Sequence, residues 1–283
     1  MHPQPQNSET VRRMRAAHHR ARHALDLSPA PHSHEVWGWQ GRTLSGPVTT
    51  PEGSGWLRLA CAPAGHIAPT FWEGARDAAH AIPDSVPRPY LRTVHDWHEH
   101  HWNYRAELYD LSTHQPVAES PVPETVPELP SPWWHTLRTT LDRIAVVPTQ
   151  RHTVPQRYLD WAMPTYLGAP INTTVSSWAT AHGDLHWANL CAPQLYLFDW
   201  EGWGLAPTGY DAAMLHSYSL LLPSLAARIR HELAHLLNTS TGRFAELVTI
   251  TELLHAAPHR DDLRALTQPL RQRADLLLRR FQP

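Results

Sequence analysis

Between residues 9 and 26 the chain sets Val11, Met14, Ala21 and Leu25 on one helical face and fills the other faces with arginine and histidine. This period predicts an amphipathic helix. The pattern then changes to alternation. V-W-G-W-Q-G-R-T-L-S-G-P-V (36–48) and G-W-L-R-L-A-C-A (55–62), joined by the turn signal P-E-G-S-G (51–55), predict antiparallel strands. Residues 70–80 return to a helical period, opened by Thr70 and Glu73 at capping-box spacing. Two further strands are predicted over 90–97 and 102–111, with a polar turn between them.

From 112 to 131 five prolines exclude regular structure and mark a connection. Beyond it the pattern is mostly helical, with one stripe through Leu225, Ile229, Leu233 and Leu236 and another through Leu263, Leu266, Leu270 and Leu277. The organisation expected is α+β and bilobal: a helical extension (1–30), a β-rich N-lobe (31–111), a Pro-rich interlobe connection (112–131) and a helical C-lobe (132–283).

One stretch breaks the helical half. T-A-H-G-D-L-H-W-A-N (180–189) places His182, Asp184, His186 and Asn189 within eight positions, and L-Y-L-F-D-W-E-G (195–202) puts Asp199 and Glu201 after an apolar run. Polar density of this kind beside a strand is costly to bury without a purpose. An Asp and an Asn five apart on a loop, then an Asp ten residues later at the end of a buried strand, can converge on a metal-bound polyphosphate. Magnesium takes few protein oxygens and fills its shell with water and phosphate, which suits Asn189 and Asp199. Asp184 is then left to orient an attacking hydroxyl and accept its proton.

The same residues resemble the aminoglycoside phosphotransferase and choline kinase branch of the protein-kinase-like fold: H-G-D-L-H-W-A-N, then F-D-W-E-G, then G-Y-D at 209–211, in that order. The resemblance implies that Asp184 is the catalytic base, that Asn189 and Asp199 hold Mg2+ against the phosphates of ATP or GTP, and that Glu201 assists the metal. It also implies that His182 braces the loop and that His186 reaches the transferred phosphoryl group. Asp211 is expected to cap the helix that follows it.

Composition changes the picture at one point: all 24 basic residues are arginine. A kinase-like fold offers a strand lysine to the phosphates and pairs it with a glutamate of the following helix. Here Arg58 is the residue expected in the lysine's place and Glu73 its partner, since an arginine fork can also clamp phosphate. Gly41 and Ser45 are the expected phosphate-loop contacts, although the glycine spacing is loose.

The net charge of −2 supplies no field for nucleic acid or anionic membrane, and the arginines of the first helix read as solvated surface. No apolar stretch reaches membrane length and the N-terminus has no hydrophobic signal core, so the expected location is the cytoplasm. Cys61 and Cys191 suggest neither zinc nor a disulfide framework. His98 and His100 alternate onto one strand face but fall at a polar turn, where surface is the expected role. Three functions fit this sequence: a kinase for a hydroxyl of a small molecule such as an antibiotic or specialised metabolite, a kinase for Ser or Thr of a precursor peptide working with a lyase partner, and a pseudokinase scaffold lacking the strand lysine.

Overall fold

A computed structural model describes residues 3–31 and 34–279. The chain divides into two units, Met1–His80 with Pro89–Thr113 and Ala81–Arg88 with His114–Pro283.

In the first unit α1 (Ser8–Ala24) is capped by Asn7, whose Oδ1 accepts from the Glu9 and Thr10 amides at 2.9 and 3.1 Å. The sheet is built from β1 (Ser28–Pro29), β2 (Val36–Trp37), β3 (Thr43–Thr50) and β4 (Gly53–Pro63), then, after α2 (Pro69–Ala81), from β5 (Leu91–Glu99) and β6 (Trp102–Asp110). All pairings are antiparallel, in the order β1-β3-β4-β6-β5 with β2 added on β3.

Alternation gives this sheet two different faces. Leu57, Leu59 and Cys61 of β4 and Tyr104, Ala106 and Leu108 of β6 form a buried face with Val11, Met14, Ala17 and Ala21 of α1. The expected separate helical extension is therefore corrected: α1 completes the core of this unit because its apolar stripe has a sheet face to cover. Its arginines serve the same unit, with Arg13 over the Trp102 ring at 3.6 Å, Arg15 on Glu35 at 2.7 Å and Arg20 on Glu99 at 3.0 Å. The other face carries Arg58, Arg105 and Glu107, and Glu73 of α2 bonds to it.

The second unit contains β7 (Gln115–Pro116), α3 (Ser131–Ala145), α4 (Gln156–Leu167), β8 (Trp178–Ala181), β9 (Cys191–Ala192), β10 (Gly204–Pro207), α5 (Tyr210–Tyr218), α6 (Pro223–Glu232), α7 (Ala234–Leu237), α8 (Ser240–Ala256) and α9 (Thr267–Leu278). The Pro-rich stretch, expected as a bare connection, has pairing of its own from residue 115. β7 pairs with β9, and the Val117 and Ala118 amides donate to the carbonyls of Leu190 and Trp187. It backs the polar loop that interrupts the helical half.

α8 is buried around most of its circumference, with Leu247, Val248, Thr249, Ile250, Thr251 and Leu253 all inside, which is why its sequence shows no amphipathic stripe. The stripe through Leu225, Ile229 and Leu233 is buried as expected, but the helix ends at Glu232 and α7 restarts with Leu237 inside. The break shifts the helical phase by one residue. Among the described residues no helix is long and apolar enough to cross a membrane.

Candidate active site

The site begins as a closure of the chain on itself. β8 pairs with β10 in the register Ala181↔Gly204, so residues 182–203 form one excursion whose ends lie side by side. Inside it, the Phe198 amide donates to Asn189 O at 2.9 Å and the Cys191 amide to Tyr196 O at 3.0 Å, around a Leu190↔Leu197 bridge. The strand expected to end at Asp199 is reduced to that bridge, and the Leu197 amide donates to Pro87 O at 2.9 Å instead of extending a ladder. Its open end carries Asn189 and Asp199.

Four ties hold the loop. Asp211 accepts from the His182 and Gly183 amides at 2.7 and 3.1 Å. That corrects the expectation for Asp211: the N-cap of α5 is Gly209, and the Asp211 carboxylate in the first turn serves the loop instead. His182 is fully buried, and burial keeps its imidazole easier to deprotonate than usual. Its Nε2–H donates to Phe198 O at 2.8 Å while Nδ1 accepts from the Asp184 amide at 3.3 Å, so a neutral ring links the two halves of the excursion. Gly183, at φ +90°, packs so closely on the Gly202 carbonyl that a Cβ would lie 2.5 Å from that oxygen. Leu185 and Trp187 alternate into the core, where the indole Nε1 donates to Ser219 Oγ at 2.8 Å.

Asp184 faces the other way. Its side chain is 46% exposed, and among the described residues its Oδ1 has no hydrogen-bond partner. Burial opposes its ionisation, but His186, His182 and Arg260 outweigh that and hold the carboxyl at about 2. Asn189 Nδ2 donates to Asp184 O at 2.9 Å, which fixes the amide and leaves Oδ1 without a partner among the described residues. Asp199 is exposed, in the left-handed region at φ 63°. An unengaged amide oxygen and an exposed carboxylate at one hairpin end are hard oxygen donors, a set that fits magnesium. Glu201 follows on the turn, where its carbonyl accepts from Arg151 Nη2 at 3.2 Å.

His186 departs from the outward role expected of it. Its side chain is 10% exposed, with Nε2 3.3 Å from Asn189 Nδ2 and 3.5 Å from Asp184 Oδ2, and its ring edge on Tyr218. It is a packed imidazole that positions both neighbours. For the His98 and His100 pair, His98 Nδ1 lies 3.1 Å from Asn103 Oδ1, and among the described residues no three His, Cys, Asp or Glu side chains group as a metal site.

Three groups escaped the sequence. Glu252 of α8 accepts from Tyr210 Oη at 2.7 Å through one oxygen, and its other oxygen has no partner among the described residues. Near it stands Tyr158, whose Oη is 3.1 Å from His255 Nδ1 and which belongs to a cluster with the stacked or edge-on rings of Trp161, Tyr166 and His255. Burial, with Asp184 nearby, pushes Glu252 up to about 7, and the Tyr210 bond only partly opposes this. Arg260, clamped on Asp262 at 3.1 and 2.5 Å, is the third, close enough to Tyr218 and Asp184 to affect both. None of these sits in a motif.

A carboxyl raised in the fold binds its proton more tightly than in the unfolded chain. The stability Glu252 contributes is therefore complete below its unfolded value near 4.5 and is lost as pH rises through about 7. Glu252→Gln is expected to flatten the decline of Tm between those pH values, as read by calorimetry at half-unit steps.

In the first unit the expected nucleotide contacts are rearranged. Glu73 does not pair with Arg58: its carboxylate takes Arg105 Nη2 at 2.9 Å and Arg76 Nη1 at 3.1 Å. α2 already includes Thr70, and the Glu73 carboxylate is drawn to the buried cation on the sheet. Arg58 donates to Glu107 Oε2 at 3.0 Å, and Ser45 lies opposite Arg58 in the register and is buried. Gly41 is a turn glycine at φ 70°, with its amide donating to Gly38 O at 3.0 Å and its Cα packed against Pro5 and Thr10. An amide spent inside the turn is not presented to a phosphate.

Comparison of the sequence with known protein families gives no match, and comparison with curated proteins gives none. Solved structures do match. A thermostable mutant of aminoglycoside phosphotransferase APH(4)-Ia superposes with a TM-score of 0.59 at 13% identity, covering 89% of this chain and 95% of that one. A microcompartment-associated aminopropanol kinase gives 0.57 at 14% identity, covering 92% and 96%. Choline kinase LicA from Streptococcus pneumoniae gives 0.55 at 9% identity, covering 93% and 99%. At these identities the likeness establishes the protein-kinase-like fold, with its antiparallel sheet and helical part.

Proposed function

We propose that the protein is a phosphotransferase that moves the γ-phosphoryl group of ATP to a hydroxyl of a small molecule carrying an amine. The observation that carries this reading is Asp184: an ionised, half-exposed carboxylate with an unengaged oxygen, on a loop held rigid by Asp211 and His182. A base so placed accepts the hydroxyl proton as the oxygen attacks, and a fixed loop supplies the positioning on which in-line transfer depends.

Asn189 Oδ1 and Asp199 would hold Mg2+, with Glu201 next to them. Bound there, the metal would neutralise charge on the phosphate oxygens. Arg58 supplies the cation for the α- and β-phosphates that lysine supplies in other kinase-like proteins. His186 keeps Asp184 and Asn189 in register.

The amine is supported by Glu252, half-buried with one oxygen that has no partner among the described residues, near Tyr158 of a ring cluster with Trp161, Tyr166 and His255, an arrangement suited to a cation. Aminoglycosides, choline and aminopropanol, named in the neighbours above, all combine a hydroxyl with a cationic nitrogen.

The test is phosphate-ester formation from ATP and Mg2+ with paired acceptors, each amino alcohol beside its amine-free analogue. A preference in kcat/KM of about tenfold or more for the amine is expected, narrowed in Glu252→Gln. Equal rates within each pair would refute the amine, and ester formation with neither class would refute transfer to such alcohols.

A further inference from the structure

In a kinase-like nucleotide site one strand lysine does two jobs: it touches the α- and β-phosphates, and it pairs with a glutamate of the following helix so that helix and strand move together. This chain has no lysine, and its charged sheet face shows two arginines with different partners.

Arg105 of β6 is 2% exposed, with four of its five N–H groups engaged. Its Nε and Nη2 donate to Asp96 at 2.7 and 2.8 Å, Nη2 also donates to Glu73 Oε1 at 2.9 Å, and Nη1 donates to the Trp72 carbonyl. Two of these partners belong to α2, so this guanidinium clamps the helix to the sheet. A buried cation with four of five donors committed and its charge matched by two carboxylates is poorly placed to serve a phosphate.

Arg58 stands one strand away, on β4, with its side chain 19% exposed. Its cross-strand neighbour in the register is Glu107, whose side chain is 3% exposed and whose Oε2 accepts from Arg58 Nη1 and from Tyr109 Oη, each at 3.0 Å. A carboxylate fixed from two sides and directly opposite on the strand orients a long side chain better than a partner on a separate helix.

We infer that the two jobs of the missing lysine are divided: Arg105 docks α2 through Glu73, while Glu107, not Glu73, is the positioning residue that aims Arg58 at the nucleotide. Arginine makes the division workable, since its planar fork can hold Glu107 on one edge and present other N–H groups elsewhere, which an ammonium on a flexible stem does less well. The inference rests on the proposed nucleotide-dependent reaction for its second half only; the docking half concerns the free protein.

The experiment uses the full chain, with calorimetric titration of Mg·ATP and backbone amide exchange of residues 69–81. Glu107→Gln is expected to weaken Mg·ATP by about tenfold and leave exchange in α2 unchanged. Glu73→Gln is expected to speed α2 exchange and keep nucleotide affinity within about twofold. Arg58→Gln should match Glu107→Gln, and the double variant should lose little more than either single, the signature of a coupled pair. A loss in Glu73→Gln equal to that in Glu107→Gln would overturn the division, as would additive losses in the double variant. If the unaltered chain binds no nucleotide, the second half fails along with the proposed function, while unchanged α2 exchange in Glu73→Gln would overturn the first half independently.

Discussion

Asp184→Asn is expected to lower kcat by roughly three orders of magnitude while Mg·ATP binding stays near that of the unaltered protein. Asn keeps the shape of the side chain and can still face His186, but it cannot take a proton. The side chain is 46% exposed, so little packing is lost. Because the carboxyl is held at about 2, below its usual value, the ionised form is the one the fold favours. That contribution is present above the unfolded value near 4 and is lost only as pH falls toward 2. The Asp184 carboxylate is thus ionised throughout the neutral range, and any acid limb of a pH–rate profile above about pH 4 is expected to belong to another group. Stopped assays of Asp184→Asn alongside a nucleotide titration would check both halves; a kcat within tenfold of the original would remove Asp184 from the chemistry.

Glu246→Gln is expected to cost about 3–5 kcal/mol of stability. Glu246 is fully buried on α8 and takes Arg230 Nη2 at 2.7 Å on both oxygens and Arg273 through Nε and Nη2 at 2.8 and 3.1 Å, with His216 Nδ1 at 3.7 Å. One carboxylate therefore joins α8 to α6, α9 and α5. Without its charge, two guanidiniums at 27% and 20% exposure lose their counter-ion. Tm should fall by about 10 °C at pH 7. Burial opposes ionisation of Glu246, but Arg273, Arg230 and His216 hold its pKa below the usual value. Its stabilising share is consequently present above about pH 4.5 and lost in acid, so the gap in Tm between the two proteins should close as pH is lowered.

What was legible in the sequence was what one stretch of chain carries by itself. The loop from His182 to Asn189 and the pair Asp199 and Glu201 announce themselves because polar residues crowd against apolar ones within twenty positions. The stripe of α1 was equally plain, but not its destination, since a stripe says that a face is covered and not by what. Long-range pairings were illegible. Whether Glu73 meets Arg58 or Arg105 depends on the register of β4 against β6, which no local pattern encodes, and Arg105 wins because it is the more deeply buried cation beside α2. Asp211 looked like a cap because it starts a helix, and only the closure of β8 on β10 brings the loop amides to it. Glu252 and Arg260 lie alone among helical or irregular residues, where nothing in spacing separates a site residue from any other polar one.

The most direct test is calorimetric titration of ATP with and without Mg2+, for the unaltered chain and for Asn189→Ala and Asp199→Asn. Binding strengthened by at least about tenfold on adding magnesium, with that gain lost in both variants, is the predicted result. Absence of ATP binding by the unaltered chain, or a magnesium gain that survives both substitutions, would contradict it.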